Sequence, residues 1–438
     1  MAAEGAGGSP DPLARFEAQA SASGLAVPAK HPVRLWLALV VVAVVIGASI
    51  GVGELTGWAI GPRVPNAPAV YGQDACAQAP SYLSIDLEAA VSGEADPALA
   101  ADFLTWGLEF ANWTGDCVHL HEAAGAGDGY LPLLASKSVE FAAAQAAPNA
   151  TEASDLSAPV SLFPVAVVPI AVAYDLPGLA SPLHLNGSVL AAIYLGSVTS
   201  WDAPSIAALN PGADLADLPA ITVMYRSDTA VLNTAYTTYL ARASTAWNSS
   251  IGIGSSVAWP VGVAEGGASA MAAALGSTPG SIGYVEAAGP TPANSSYADL
   301  QNPAGAFAAP GPKGAAQAAA GSQNSSTARH DEWTQLPLID APGSAAYPIS
   351  QFVYVAVYHD LGTAYAGHVS ATNATWLLSF FWWLSSESGT QVSTLGFGAL
   401  PSNLALLDRQ SLENVTYDGG SLLETNEGGS EGGTTDEF

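Results

Sequence analysis

The chain has 438 residues, enough for two or three domains, and its 49% hydrophobic content supports a sizeable core. Only 11% of residues are charged, and the formal net charge of −28 reflects 10 Lys plus Arg against 38 Asp plus Glu. No basic patch exists to displace counterions, so nucleic acid is excluded as a partner, and the sparse carboxylates argue against a salt-adapted surface. Few ionisable groups also limit the charge change on acidification, which fits an exported protein of an acidic habitat.

Residues 1–33 are rich in Ala, Gly, Ser and Pro without a sustained apolar period, and read as a disordered cytoplasmic tail. Leu35 to Gly53 then holds no charged residue. At helical rise that stretch spans ~29 Å, close to the hydrocarbon thickness of a bilayer, and a transmembrane anchor is expected over 34–56. Arg15, Lys30 and Arg34 precede it while only Arg63 follows nearby, so the N-terminus is expected in the cytoplasm and the main domain outside. A cleaved signal peptide is the alternative; the long leading tail and the lack of a clear small-residue cleavage site favour the anchor. Residues 57–80 read as a Pro-rich tether.

Cys76 and Cys117 lie beyond this segment, where an oxidising compartment permits a disulfide. A loop of that length adds ~4 kcal/mol on the chain-entropy account; the alternative is two free buried thiols. Eight N-x-[ST] sequons, at Asn112, Asn149, Asn186, Asn248, Asn294, Asn324, Asn373 and Asn414, all fall on the outer side of this topology and are candidates for glycosylation.

In the folded part, strand-like runs alternate with helical ones, which implies an α/β domain. Val118–His121, Val139–Phe141 and Phe352–Tyr358 read as strands, and Ala166–Tyr174 as a buried strand pair or crossing. Ile193-Tyr194-Leu195 reads as the end of a helix stopped by Gly196, with Ser200 or Asp202 capping the next one. Ile221–Tyr225 is β-branched and apolar, hence a buried strand that delivers Arg226 and Asp228 to its carboxyl end, where open α/β sheets bind ligands. Residues 289–329 alternate small residues with Pro and read as a low-complexity insertion with a short Ala-rich helix, and 416–438 as an acidic, Gly-rich tail. His119 and His121 share one face of a strand, but no third ligand can be matched to them, so no metal site is expected. No nucleophile-elbow or phosphate-binding Gly-Lys loop occurs, so neither catalysis nor a cofactor is expected.

The runs 192–212 (AIYLGSVTSWDAPSIAALNPG), 221–228 (ITVMYRSD), 259–263 (WPVGV) and 278–288 (TPGSIGYVEAA), in this order, resemble the phosphate-binding component of the phosphate ABC transporters of bacteria and archaea. AYPIS (346–350), FFWWL (380–384) and GTQVSTLGFGALP (389–401) extend the likeness. The resemblance implies a two-lobed, type II periplasmic-binding-protein-like fold. Lobe one would comprise 81–165 and 346–415 and lobe two 166–345, with inorganic phosphate held between them for permease and ATPase subunits of an importer. Arg226 and Asp228 match that family's Arg-x-Asp. Its following Gly-Ser-Gly-Thr loop is replaced by Thr229-Ala230-Val231-Leu232, leaving Thr229 as one replacement hydroxyl. Its Gly-Ser-Ser-Gly turn aligns with Gly127-Asp128-Gly129, and its Ser-Asp with Ala144-Gln145. Asp96 falls on a further donor position. Ionised, Asp96 and Asp128 would repel phosphate in a dry cleft; protonated, they would donate to it. The alternative is a glycosylated envelope or adhesion protein that kept the fold and lost solute binding. A minor variant is metal or amine binding through Asp96, Asp128 and Asp228.

Overall fold

A computed structural model describes residues 91–95, most of 99–110, 118–122, 130–146, 154, 156–322, 338–385, 392–393 and 395–423. The expected tail, anchor and tether, Cys76, Cys117, Asp96, Asp128, and the sequons at Asn112, Asn149 and Asn324 lie outside the described residues.

Nine strands form one mixed sheet. In chain order they are β1 (Val91–Ala95), β2 (Val118–Glu122), β3 (Phe141–Ala144), β4 (Val160–Tyr174), with β5 (His184–Leu185) lying in another sheet, then β6 (Thr222–Arg226), β7 (Val263–Glu265), β8 (Ser281–Glu286) and β9 (Ser296–Tyr297). The short β10 (Asp299–Gln301) and β11 (Phe307–Ala308) join β5 in a three-stranded sheet, and β12 (Ser350–Tyr358) returns to the large one. The order across the large sheet is β2-β1-β3-β12-β4-β8-β6-β7, with β9 paired to β4.

β4 carries the architecture. Its first part pairs antiparallel with β12 as far as Pro169 opposite Ser350, and its last part pairs antiparallel with β8 from Ile170 opposite Glu286. One 15-residue strand therefore belongs to both halves of the sheet, which is why every residue from Phe163 to Tyr174 is buried and apolar alternation is absent. The apolar cores divide at the same place. One gathers Phe103, Trp106, Phe141, Val168, Val355 and the aromatic helix Ala371–Ser385; the other gathers Ile170, Val172, Leu190, Tyr236, Tyr284 and Ile349. In the aromatic helix, Phe381 meets Phe141 and Phe163 at ring separations of 5.0 and 5.5 Å, fastening it over β3 and β4.

Several expectations are adjusted by these pairings. The strand expected at 139–141 begins at Phe141, because Val139 instead offers its carbonyl to the Tyr365 hydroxyl. Of the two readings of Ala166–Tyr174 the structure has the crossing: it is the end of one long strand, β4, that pairs in both halves of the sheet. Gly196 does follow the helix Gly187–Tyr194 with φ +75°, a conformation that glycine adopts without strain. Neither Ser200 nor Asp202 caps the next helix, Pro204–Ala207: the Ser200 hydroxyl donates to the Asp202 carboxylate instead, and Pro204 brings no N–H that needs an acceptor. Residues 289–322 are ordered, with β9, β10, β11 and the helix Pro312–Ser322, whose Ala315, Ala318 and Ala319 are buried. Residues 416–423, grouped with the tail by composition, form a hairpin of β13 (Thr416–Tyr417) and β14 (Gly420–Ser421) followed by buried Leu423. Among the described residues no helix is long and apolar enough to cross a membrane.

Candidate functional site

Strand directions define a meeting point. β3 and β4 both run antiparallel to β12, so they run parallel to each other; β8 runs antiparallel to β4, and β6 runs parallel to β8. The carboxyl ends of β3 and β6 therefore point toward each other from opposite halves. In register, Ala144 lies across Tyr354 from Pro164, while Glu286 lies opposite Ile170. The intervening β4 is roughly 20 Å of strand at about 3.3 Å per residue. Gln145 follows the end of β3 and Arg226 ends β6.

Arg226 is buried, with 8% of its surface exposed. Its Nε donates to Asp228 Oδ1 at 2.6 Å and its Nη2 to Asp228 Oδ2, a bidentate pair. That pair uses one edge of the guanidinium and leaves three of about five N–H donors on the other edge. Burial works against the positive charge. The hydrogen bond and charge of Asp228, with Glu286 behind it, outweigh that and hold the group above its ordinary value, so it is cationic at every relevant pH. Asp228 is itself about one-third exposed, at 36% of its side chain.

The chain after Asp228 turns into the helix Val231–Ala243. Its N-cap, Ala230, has no side-chain acceptor, so the first-turn N–H groups are uncapped by it, and Thr229 stands exposed beside them. From the other half, Gln145 is 5% exposed, its Oε1 accepts from Gln351 Nε2 at 2.5 Å, and its own Nε2 is buried without a partner. An unpaired buried amide donor is costly unless something accepts from it. The halves also approach through carboxyls: burial first, then the charge of Glu286, push Asp102 well above the usual carboxylate range.

The structure thus joins Arg226 to Asp228, sets Thr229 next to them, and puts Gln145 at the facing strand end. Asn233, Tyr284 and Gln351 were missed. Asn233 hydrogen-bonds Asp228 and Tyr284, and Gln351 hydrogen-bonds Gln145. A buried Asn in a first helical turn looks like a capping residue in sequence, and Tyr284 looks like ordinary strand core. Among the described residues no group of three or more His, Cys, Asp and Glu side chains could hold a metal. Of the described sequons, Asn248, Asn294 and Asn414 are exposed, Asn373 is partly buried, and Asn186 accepts from Val189 N–H as the cap of its helix.

The PBP superfamily domain model matches residues 72–388. The phosphate-binding protein PstS of Pasteurella multocida is 30% identical over 305 residues, 69% of this chain and 83% of that protein. PstS of Methanocaldococcus jannaschii is 32% identical over 265 residues, 58% of this chain and 67% of its own. Among solved structures, a human phosphate binding apolipoprotein at 17% identity matches with a TM-score of 0.55 over 75% of this chain and 99% of its own. A DING protein, also at 17%, gives 0.55 over 73% and 93%. At such identities these two structures establish the mixed α/β periplasmic-binding-protein-like fold.

Proposed function

The chain belongs to the PBP superfamily and, within it, to the PstS-type substrate-binding proteins, and from that premise we propose that it binds inorganic phosphate, or a similar tetrahedral oxyanion, between its two halves. The observation that carries the proposal is the spare edge of Arg226, a buried guanidinium whose other edge is fixed by Asp228. A planar fork of donors matches two oxygens of a tetrahedral anion. Thr229, the Val231 and Leu232 N–H groups at the start of the helix and the unpaired Gln145 amide supply further donors, the Asn233 N–H being taken by Ala230 O. Asp128 would complete the site in its protonated form.

The proposed partners are the permease and ATPase subunits of an ABC importer. A membrane anchor at 34–56 would keep the receptor at high effective concentration beside them. Lobes of 81–165 with 346–415 and of 166–345 would close about β4 on the solute. Calorimetric titration of phosphate at about pH 3 and about pH 7 tests the reading. Binding at either pH, weakened at least about tenfold by Arg226→Lys, is expected, since an ammonium cannot reproduce the fork. No heat at both pH values, or full affinity in the variant, overturns it; silence would favour the envelope or adhesion role.

A further inference from the structure

We propose that Asn233, acting with Tyr284, is a positioning residue that aims the Arg226 guanidinium. The inference rests on the reading that Arg226 meets an oxyanion, but it comes from hydrogen bonds that never touch the guanidinium itself. Asn233 lies in the first turn of the helix Val231–Ala243 and is 1% exposed. Its Nδ2 donates to Asp228 O and to Ser255 O, both at 2.8 Å, and lies 3.4 Å from Arg226 O. Its Oδ1 accepts from the Tyr284 hydroxyl at 2.7 Å, and that same hydroxyl oxygen accepts from the Arg226 backbone N–H at 3.2 Å.

Both ends of Arg226-Ser227-Asp228 are therefore held by their main chains, one through Tyr284 and the other through Asn233. The side-chain pair between Arg226 and Asp228 closes only if those backbones keep their register. A carboxamide suits the position because it brings two donors and an acceptor on a short neutral stem. Aspartate would take the Asn233 donor from two partly buried carbonyls, those of Asp228 and Ser255, and add a charge beside Asp228. Tyr284 is held in turn by its stack on Tyr236, with ring centroids 4.1 Å apart, so the support is rigid from β8 to the helix.

Two variants of the full chain test this: Asn233→Ala, and Tyr284→Phe, which removes one oxygen and keeps the ring stack. The first measurement needs no ligand. The Arg226 Nε–H should give a proton signal in NMR that is protected from exchange by Asp228, and both variants should lose that protection. The second is calorimetric titration with inorganic phosphate: affinity should fall roughly tenfold in Tyr284→Phe. That fall should vanish in an Arg226→Lys background, as a double-mutant cycle requires of residues acting through one another. An unchanged Arg226 signal in Tyr284→Phe alongside a lower melting temperature overturns the proposal, leaving the network purely structural. If Asn233→Ala does not fold, Tyr284→Phe decides alone. A wild-type protein that ignores phosphate overturns the oxyanion reading, while the Arg226 signal still decides whether Asn233 and Tyr284 position the side chain.

Discussion

Asp360 accepts four hydrogen bonds: from the backbone N–H groups of Thr363, Asp418 and Gly419 at 2.8, 3.1 and 2.7 Å, and from Thr416 Oγ1 at 3.0 Å. One carboxylate thus caps the helix Leu361–Tyr365 and fastens the β13–β14 hairpin to it. Slight burial opposes the charge, but the donors from Thr363, Gly419 and Thr416 outweigh it and hold the carboxyl well below its usual range. A lowered folded pKa gives stability that is complete above the unfolded value, near about pH 4, and is lost only as pH falls through the folded one. Asp360→Ala should therefore cost ~1 kcal/mol in chemical denaturation at neutral pH. The gap from wild type should persist down to about pH 4 and narrow only below it; a gap that closes already at about pH 6 would contradict this account. At the site itself, Arg226 and Asp228 could be read from the chain because they are two residues apart on a strand end. Gln145 depended on resemblance. Asn233 could not be read, because its three main partners lie 5, 22 and 51 residues away.

At the scale of elements, close backbone approach decides what composition leaves open. The segment through Gly398 bridges the middle of β4, where Val167 and Gly398 exchange N–H···O bonds of 2.9 and 2.7 Å. On its other side lies the helix Pro312–Ser322. A Cβ on Gly398 would come within 2.6 Å of Ala316 N, 2.8 Å of Pro312 O and 2.9 Å of Ala315 Cβ. Gly398→Ala should accordingly lower stability by ~1–3 kcal/mol, the usual scale of overpacking. Gly311→Ala, whose Cβ would meet nothing within 4 Å, is the control. Equal denaturation midpoints for the two would show that the helix does not sit against β4 as described. That helix is the short Ala-rich one expected within 289–329; its burial could not be read, because Ala and Gly look featureless in sequence, yet small side chains are what permit such close contact.

Across the whole molecule, buried carboxyls set the direction of pH dependence. Asp408 is fully buried, and neither carboxyl oxygen has a hydrogen-bond partner; the Ser385 hydroxyl donates to Trp382 O instead. Burial drives its pKa well above the usual range, and the hydroxyl of Ser385 nearby, aimed at Trp382 O, and the charge of Arg409 oppose it only in part. Asp102 is shifted the same way, by burial and then by Glu286. A raised folded pKa means that the native state binds more protons than the unfolded one, so stability falls as pH rises through that window. Asp408→Asn, neutral at every pH, should melt higher than wild type at about pH 7, with the difference shrinking toward about pH 4. A variant that melts lower at neutral pH would show that the carboxylate is satisfied after all. The two raised carboxyls favour stability in acid, whereas Asp360 opposes them, since its contribution is lost at low pH.

By itself the sequence determined the α/β class, the buried strands at β4 and β12, the family likeness and the arginine–aspartate pair. These follow from local apolar runs and short motifs, where propensity and spacing act over a few residues. Tertiary structure decided that β4 is shared between two cores, that strand ends from both halves face one another, and that Gln145 presents an unpaired amide there. It also decided which residues hold Arg226 in place. Such features depend on register and on contacts between segments far apart in the chain, and burial changes the meaning of a polar side chain only once its neighbours are known.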